Sequence, residues 1–386
     1  MINEINLEIN RIEKTYRALK AEGRDVLKLF SGNPNDEGFI FPPDILEEAY
    51  ARYFRNQEYH PHSKGLPKAR QALSRYYETH GCSVDPEHIL LTAGTSESFF
   101  YLFSLLAKPG DNILAPNPAY PLFDDIARLA GVELRHYALQ EERSWQIDFD
   151  DIRKQTNVKT RAIVLISPNN PTGAVAAADE VADVVHWANT RNIPVICDEV
   201  FSEFFFGSGK FPRAMAAKPK LCFTLNGISK MFALPSLKLG WIAVTGEKLF
   251  VEPAVDRLET TADTFLSCHI PIQEALPEIF EKGRAFVDHY VAEVGRRRQS
   301  AVALLKSSSR LTFVEPLGGF YLMARVDSSV PEEDFVVSLM KEKNVFVHPG
   351  YFFDYDKGIH VVLSFLVRPD RLEKGIKELI RFAAGT

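Results

Sequence analysis

Residues 161–173 read RAIVLISPNNPTG, an almost unbroken apolar run that stops abruptly in a Pro/Asn/Gly turn. A run without polar alternation fits a strand buried on both faces, as in the interior of a parallel sheet. Past the turn, residues 178–190 (ADEVADVVHWANT) read as a helix, and PVICDEVF at 194–201 opens with a second apolar run, Pro194–Cys197. Strand, helix and strand in that order predict parallel strands joined by a helical crossover. Outward from this unit the rhythm repeats: His88–Thr92, Asn112–Ala115 and Leu221–Leu225 are further apolar runs, and 96–107 is a further helical stretch. The fold class expected is α/β, with a parallel sheet covered by helices on both faces. After about residue 275 the pattern changes to one long helical stretch, 278–306, followed by short strands around Phe320–Arg325 and Val361–Phe365. This reads as a smaller α+β domain. At the other end, Ile5, Ile9, Ile12, Tyr16 and Leu19 recur at steps of three and four and predict an amphipathic helix over 3–22.

The chain has 386 residues, more than one hydrophobic core organises, so two domains are expected. Charged residues make up 25% of it with a net charge of −6 and no basic stripe, which argues against nucleic acid as a partner. Cys82, Cys197, Cys222 and Cys268 are widely spaced, without a CxxC pair, and are expected to be reduced and buried. No metal site is expected, because His60, His62, His269 and His348 lack ligand spacing to one another or to clustered carboxylates. The N-terminus lacks the apolar core of a signal peptide and no long uncharged apolar window exists, so a cytoplasmic protein with no membrane partner is expected.

In open parallel sheets, ligands bind beyond the carboxyl ends of the strands. Four loops stand there: Ala93-Gly94-Thr95-Ser96, Pro168 to Gly173, Asp198-Glu199-Val200-Phe201, and Asn226-Gly227-Ile228-Ser229-Lys230. Gly94-Thr95-Ser96 follows a strand and opens a helix, where free N–H groups suit a phosphate. Taken singly, it is also what an ordinary strand-to-helix turn uses. Asp198 puts a carboxylate at the buried end of a strand, which is costly unless a cation or donor meets it. A capping or salt-bridged aspartate is the plainer reading of that residue alone. Lys230, in a pocket near other cations, is placed to lose its proton and attack a carbonyl, although any single lysine is more often on the surface.

Taken in order, these four elements resemble the class I/II aminotransferases, enzymes of fold type I that depend on pyridoxal 5′-phosphate. The likeness extends through Phe30-Ser31-Gly32-Asn33-Pro34, Gly65-Leu66-Pro67, Lys108-Pro109-Gly110-Asp111, Asn117-Pro118-Ala119-Tyr120, Gly318-Gly319-Phe320-Tyr321 and His348-Pro349-Gly350. The resemblance implies a large domain (46–274) with a mostly parallel seven-stranded sheet, and a small domain from 1–45 and 275–386. It implies that Lys230 holds the cofactor as a Schiff base and shuttles the proton at the substrate Cα. Asp198 pairs with the pyridinium nitrogen, Asn170 donates to the ring oxygen, and Tyr120 stacks on the ring. Gly94, Thr95 and Ser96 hold the phosphate, with Ser229 assisting. Tyr59 reaches the phosphate of a neighbouring subunit, so a homodimer is implied, with an amino acid and a 2-oxo acid as small-molecule partners.

Three positions depart from the family pattern. Phe201 stands where a tyrosine usually donates to the ring oxygen; its loss predicts a higher imine pKa, and the plainer reading is that Phe201 packs against the ring. Lys238, in LPSLKLGW, replaces a phosphate-binding arginine, keeping the charge and losing the bidentate fork. Val362 replaces the arginine that clamps the substrate carboxylate. Arg368, Lys64 or His348 supplies the missing cation, or backbone N–H groups near Gly32 do, or the substrate is an amine without an α-carboxylate. The expected reaction is amino-group transfer, possibly alanine-type. A β-lyase or decarboxylase using the same cofactor and a non-catalytic regulator are the alternatives.

Overall fold

The computed structural model describes residues 9–57 and 59–386. The helix predicted over 3–22 spans Arg11–Ala21, and its part before residue 9 lies outside the described residues. Asn10 stops it at the N-terminal end, its side chain accepting from the Glu13 N–H at 2.8 Å, while Ile12 and Leu19 bury the apolar face. A short strand, β1 (Leu27–Lys28), then pairs in parallel with Val345–Phe346 and ties this segment to the C-terminal part of the chain.

The large sheet holds β2 (Ile89–Thr92), β3 (Asn112–Asn117), β4 (Glu133–Gln140), β5 (Gln146–Ile147), β6 (Thr160–Ile166), β7 (Val195–Asp198), β8 (Leu221–Gly227) and β9 (Gly240–Gly246). Their spatial order is β2-β9-β8-β7-β6-β3-β4-β5. Neighbours are parallel except where β9 runs against β2 and β8, and where β5 runs against β4. The sheet thus has the seven expected strands and an eighth, β5, a two-residue edge. Strands β2, β6, β7 and β8 are buried along nearly their whole length, which is why their sequences read as continuous apolar runs. Strand β4, a partly exposed run of ELRHYALQ near the sheet edge, has no such signature.

A second sheet, β10 (Leu311–Phe313), β11 (Tyr321–Val326), β13 (His348–Pro349) and β14 (His360–Ser364), is antiparallel in the order β10-β11-β14-β13; β12 is the Val345–Phe346 partner of β1. The helical stretch 278–306 is not one helix. Helices Ile270–Lys282 and Arg284–Leu305 meet at Gly283, where a Cβ would stand 2.3 Å from the Ile279 carbonyl oxygen and 2.9 Å from the Phe41 ring. The last turn of the first helix and the Phe41 ring both press on this joint, so only glycine fits.

Cys197 and Cys222, on adjacent strands, are buried with Sγ atoms 3.8 Å apart, and all four cysteines are free. Cys82 and Cys268 are only partly buried, contrary to expectation. Beside Cys197, Glu199 and Arg213 form an ion pair in which each side chain is 3% exposed.

Candidate functional site

Strands β2, β6, β7 and β8 end on one side of the large sheet, and the loops that leave them wall a cleft of about 620 Å³. Gly32, Gly94, Thr95, Ser96, Tyr120, Asn170, Asp198, Phe201, Ser229, Lys230 and Lys238 all line it. Of the residues expected to bind the cofactor, Tyr59 is outside: it is 64% exposed and does not line its own chain's cleft.

Lys230 stands on a single helical turn, Ile228–Met231, that β8 enters through an extended Gly227. Its amine donates to the Gly32 carbonyl oxygen at 2.5 Å. Burial, reinforced by the charge of Lys238, lowers its pKa to about 8. About a tenth is therefore the free amine at pH 7, against well under about a thousandth at an ordinary lysine pKa, and the free amine is the form that attacks carbonyl carbon. Gly32 has no room for a side chain, since a Cβ there would lie 2.3 Å from the Tyr321 hydroxyl.

Asp198 ends β7 and is 9% exposed. One oxygen accepts from the Val200 N–H at 3.0 Å, and no cation among the described residues pairs with it. Burial pushes this carboxyl up to about 6, as expected for an acid facing a cleft that lacks its positive partner. Tyr120 is 41% exposed over the same cleft, and burial and the nearby Asp198 charge both raise its phenol.

The turn 168–173 divides its two asparagines between two tasks. Asn169 is 2% exposed; its amide donates to the Pro118 carbonyl at 3.2 Å, while its oxygen accepts from the Thr172 hydroxyl at 2.8 Å, and so it locks the turn. Asn170 faces the cleft with a buried side-chain oxygen that has no hydrogen-bond partner. Such a group costs about 1–3 kcal/mol unless a ligand meets it.

At the far end, helix Thr95–Leu106 begins from Gly94, whose φ of 151° belongs to glycine. Its first N–H groups, Ser229 and Lys238 converge on the cleft and suit a phosphate. Gly240 permits this closeness, since a Cβ on it would fall 2.9 Å from the Gly94 Cα.

Phe201 is 4% exposed and meets Phe320 and Tyr321 edge to face, with centroids 4.9 and 6.1 Å away. No hydroxyl enters the site from position 201. Tyr321, whose phenol is raised by burial, lines the cleft and was noted in the sequence only as part of GGFY. Ser236 and Val200 also line it without having been expected. An adjoining pocket of about 340 Å³ shares Tyr120, Asn170 and Tyr321 with the cleft and is otherwise walled by Phe30, His348, Phe352 and Phe353, among others.

Val362 is fully buried, paired in register with Met323 and His348. Of the three cations considered as replacements for an arginine there, Lys64 is engaged with Glu87 at 2.9 Å, and Arg368 is exposed and lines neither pocket. His348 lines the adjoining pocket, stacked on Phe30 with centroids 3.6 Å apart. Burial and the charge of Lys28 lower its pKa to about 4, so at neutral pH it carries no charge to offer a carboxylate.

No helix among the described residues is long and apolar enough to cross a membrane. The sequence profile for aminotransferase class I and II matches residues 24–375. A glutamate-pyruvate aminotransferase, AlaA, of Haemophilus influenzae is 30% identical over 96% of this chain and 94% of its own. An alanine aminotransferase of Mycobacterium tuberculosis is also 30% identical, over 94% of this chain and 87% of its own. Among solved structures, an alanine aminotransferase from Pyrococcus furiosus superposes with a TM-score of 0.91 at 26% identity, covering 97% of this chain and 96% of that one. An aminotransferase from Escherichia coli gives 0.90 at 28% identity, over 97% and 95%. With the profile spanning most of its length and the cleft built at the strand ends, the chain belongs to the class I and II aminotransferases.

Proposed function

We propose that the protein is a pyridoxal 5′-phosphate-dependent, alanine-type aminotransferase that moves an amino group from a neutral amino acid to a 2-oxo acid. One observation carries this reading: a lysine amine with a pKa of about 8 shares a cleft with a buried, cation-free carboxylate and with Asn170, whose side-chain amide makes no hydrogen bond among the described residues. Those are the three polar features a phosphorylated hydroxypyridine aldehyde calls for, and the N-terminus of helix Thr95–Leu106 with Lys238 suits its phosphate. The names of the two relatives above support alanine as the donor.

Pyridoxal phosphate, when bound, supplies a carbonyl for the lysine amine and a ring that accepts the electron pair released at the substrate Cα. Asp198, buried, keeps a proton on the ring nitrogen by charge pairing. Lys230 would hold the cofactor through its amine and, once freed from it, would take the proton from the substrate Cα for delivery to the cofactor's aldehyde carbon. Asn170 and Tyr120 fix the ring's position, while Thr95, Ser96, Ser229 and Lys238 hold the phosphate. With His348 uncharged and Val362 apolar, the substrate carboxylate is held by the Asn170 amide and backbone N–H groups near Gly32. Tyr59, exposed on its own chain, completes the site of a second copy in a homodimer. We assign residues 46–274 to the large domain, and the described residues of 1–45 with 275–386 to the small one.

The test is the visible spectrum of the cofactor-loaded protein as single amino acids are added, followed by 2-oxo acids. Bleaching by alanine and recovery with an oxo acid support the reading. Release of pyruvate with ammonia, or of carbon dioxide, overturns it in favour of lyase or decarboxylase chemistry.

A further inference from the structure

Behind the turn that carries Lys230 lies a second cavity, about 360 Å³, separate from the cleft. Its inner wall is apolar and includes Met231, Phe232, Phe280 and Val287, with Phe232 and Phe280 meeting edge to face at 5.0 Å. Arg75 and Glu281, both exposed, also line it, and neither has a charged partner among the described residues. The other two charged lining groups are engaged: Glu203 accepts from the Tyr76 hydroxyl at 2.7 Å and lies 3.5 Å from Arg284, which also pairs with Asp288.

A free cation, a free anion and an apolar pocket complement one kind of small molecule. We propose that this cavity binds an amino acid with an aromatic or branched apolar side chain, its carboxylate on Arg75, its ammonium on Glu281 and its side chain against Phe232 and Phe280, and that binding alters turnover in the cleft. Two contiguous routes lead there. Met231 and Phe232 directly follow Lys230, so displacing their side chains moves the turn that aims its amine. On the other wall, Tyr76 accepts from Arg213 at 3.4 Å, and Arg213 holds the buried Glu199 next to Asp198. Each route is a chain of packed or hydrogen-bonded groups ending beside a residue of the cleft.

The probe is α-methyl-L-phenylalanine, which has both charges and an aromatic side chain but no Cα hydrogen to lose. Calorimetry on the cofactor-loaded protein reads its binding independently of whether the reaction proposed above is correct. Expected are saturable binding, weakened about tenfold or more in Arg75→Glu and in Glu281→Arg, and a change in kcat that the amino donor does not compete away. Both variants alter exposed side chains outside the cleft and keep their turnover without probe. Absence of saturable binding, affinity unchanged in both variants, or competition with the donor overturns the site. Binding that leaves kcat and the cofactor absorbance unchanged overturns the coupling.

Discussion

Replacing Lys230 by methionine stabilises the cofactor-free protein at neutral pH, and the gain disappears in alkali. The argument starts from the amine, lowered from 10.5 to about 8 by burial and by Lys238. Because the folded pKa lies below the unfolded one, the unfolded chain binds more protons between the two values, and wild-type stability rises with pH across that window. At pH 7 the shift of about 2.5 units corresponds to a penalty of at most roughly 3 kcal/mol, and at pH 10 to less than about 1 kcal/mol. Solvent reaching the part-buried amine through the cleft reduces both. Methionine has no charge to desolvate, and its main cost is the hydrogen bond to the Gly32 carbonyl, about 1 kcal/mol. Urea unfolding of wild type and Lys230→Met at pH 7 and pH 10 measures the difference, because all other titrations are common to both chains. The variant is expected to be more stable by about 2 kcal/mol at pH 7, and the advantage to shrink by about 2 kcal/mol at pH 10. A difference that stays the same, within about 0.5 kcal/mol, at both pH values refutes the claim that the fold holds this amine against its charge.

Asp198 obeys the same logic with the opposite sign: its folded pKa is raised to about 6, so the wild-type, cofactor-free protein loses stability as pH rises from about 4 through 6. Asp198→Asn removes that loss while lowering kcat/KM by about 10²–10³-fold, and a variant that keeps its activity contradicts the assigned role. Glu199→Gln breaks the buried pair with Arg213 and costs about 3–5 kcal/mol in denaturant unfolding; a cost below about 1 kcal/mol means that the pair is not a structural anchor. Phe201→Tyr introduces a phenol at the cleft and lowers the pH midpoint of the bound cofactor's visible absorbance change, and an unmoved midpoint shows that Phe201 only packs against Phe320 and Tyr321.

The parallel sheet and the loops that carry its chemistry were legible in the order of residues along the chain. Strands buried on both faces leave continuous apolar runs, and residues just beyond them, Asp198, Asn170 and Lys230, fall at the ligand-binding edge by topology alone. What escaped were elements without a local signature. Strand β4 is partly exposed, and the crowding at Gly283 comes in part from Phe41, more than two hundred residues earlier in the chain. Tyr321 entered the site the same way, through contact with Gly32 across the fold.

Protonation was also a tertiary matter. His348 looked like a possible cation for a substrate carboxylate, but stacked on Phe30 and buried it is neutral at pH 7. Lys230 and Asp198 were legible as candidates, yet only the enclosing walls moved one amine to about 8 and one carboxyl to about 6. Residue type and order along the chain decide which groups reach the cleft. Their charge depends on how much water the surrounding fold leaves them, and that is set by chain segments the local sequence does not contain.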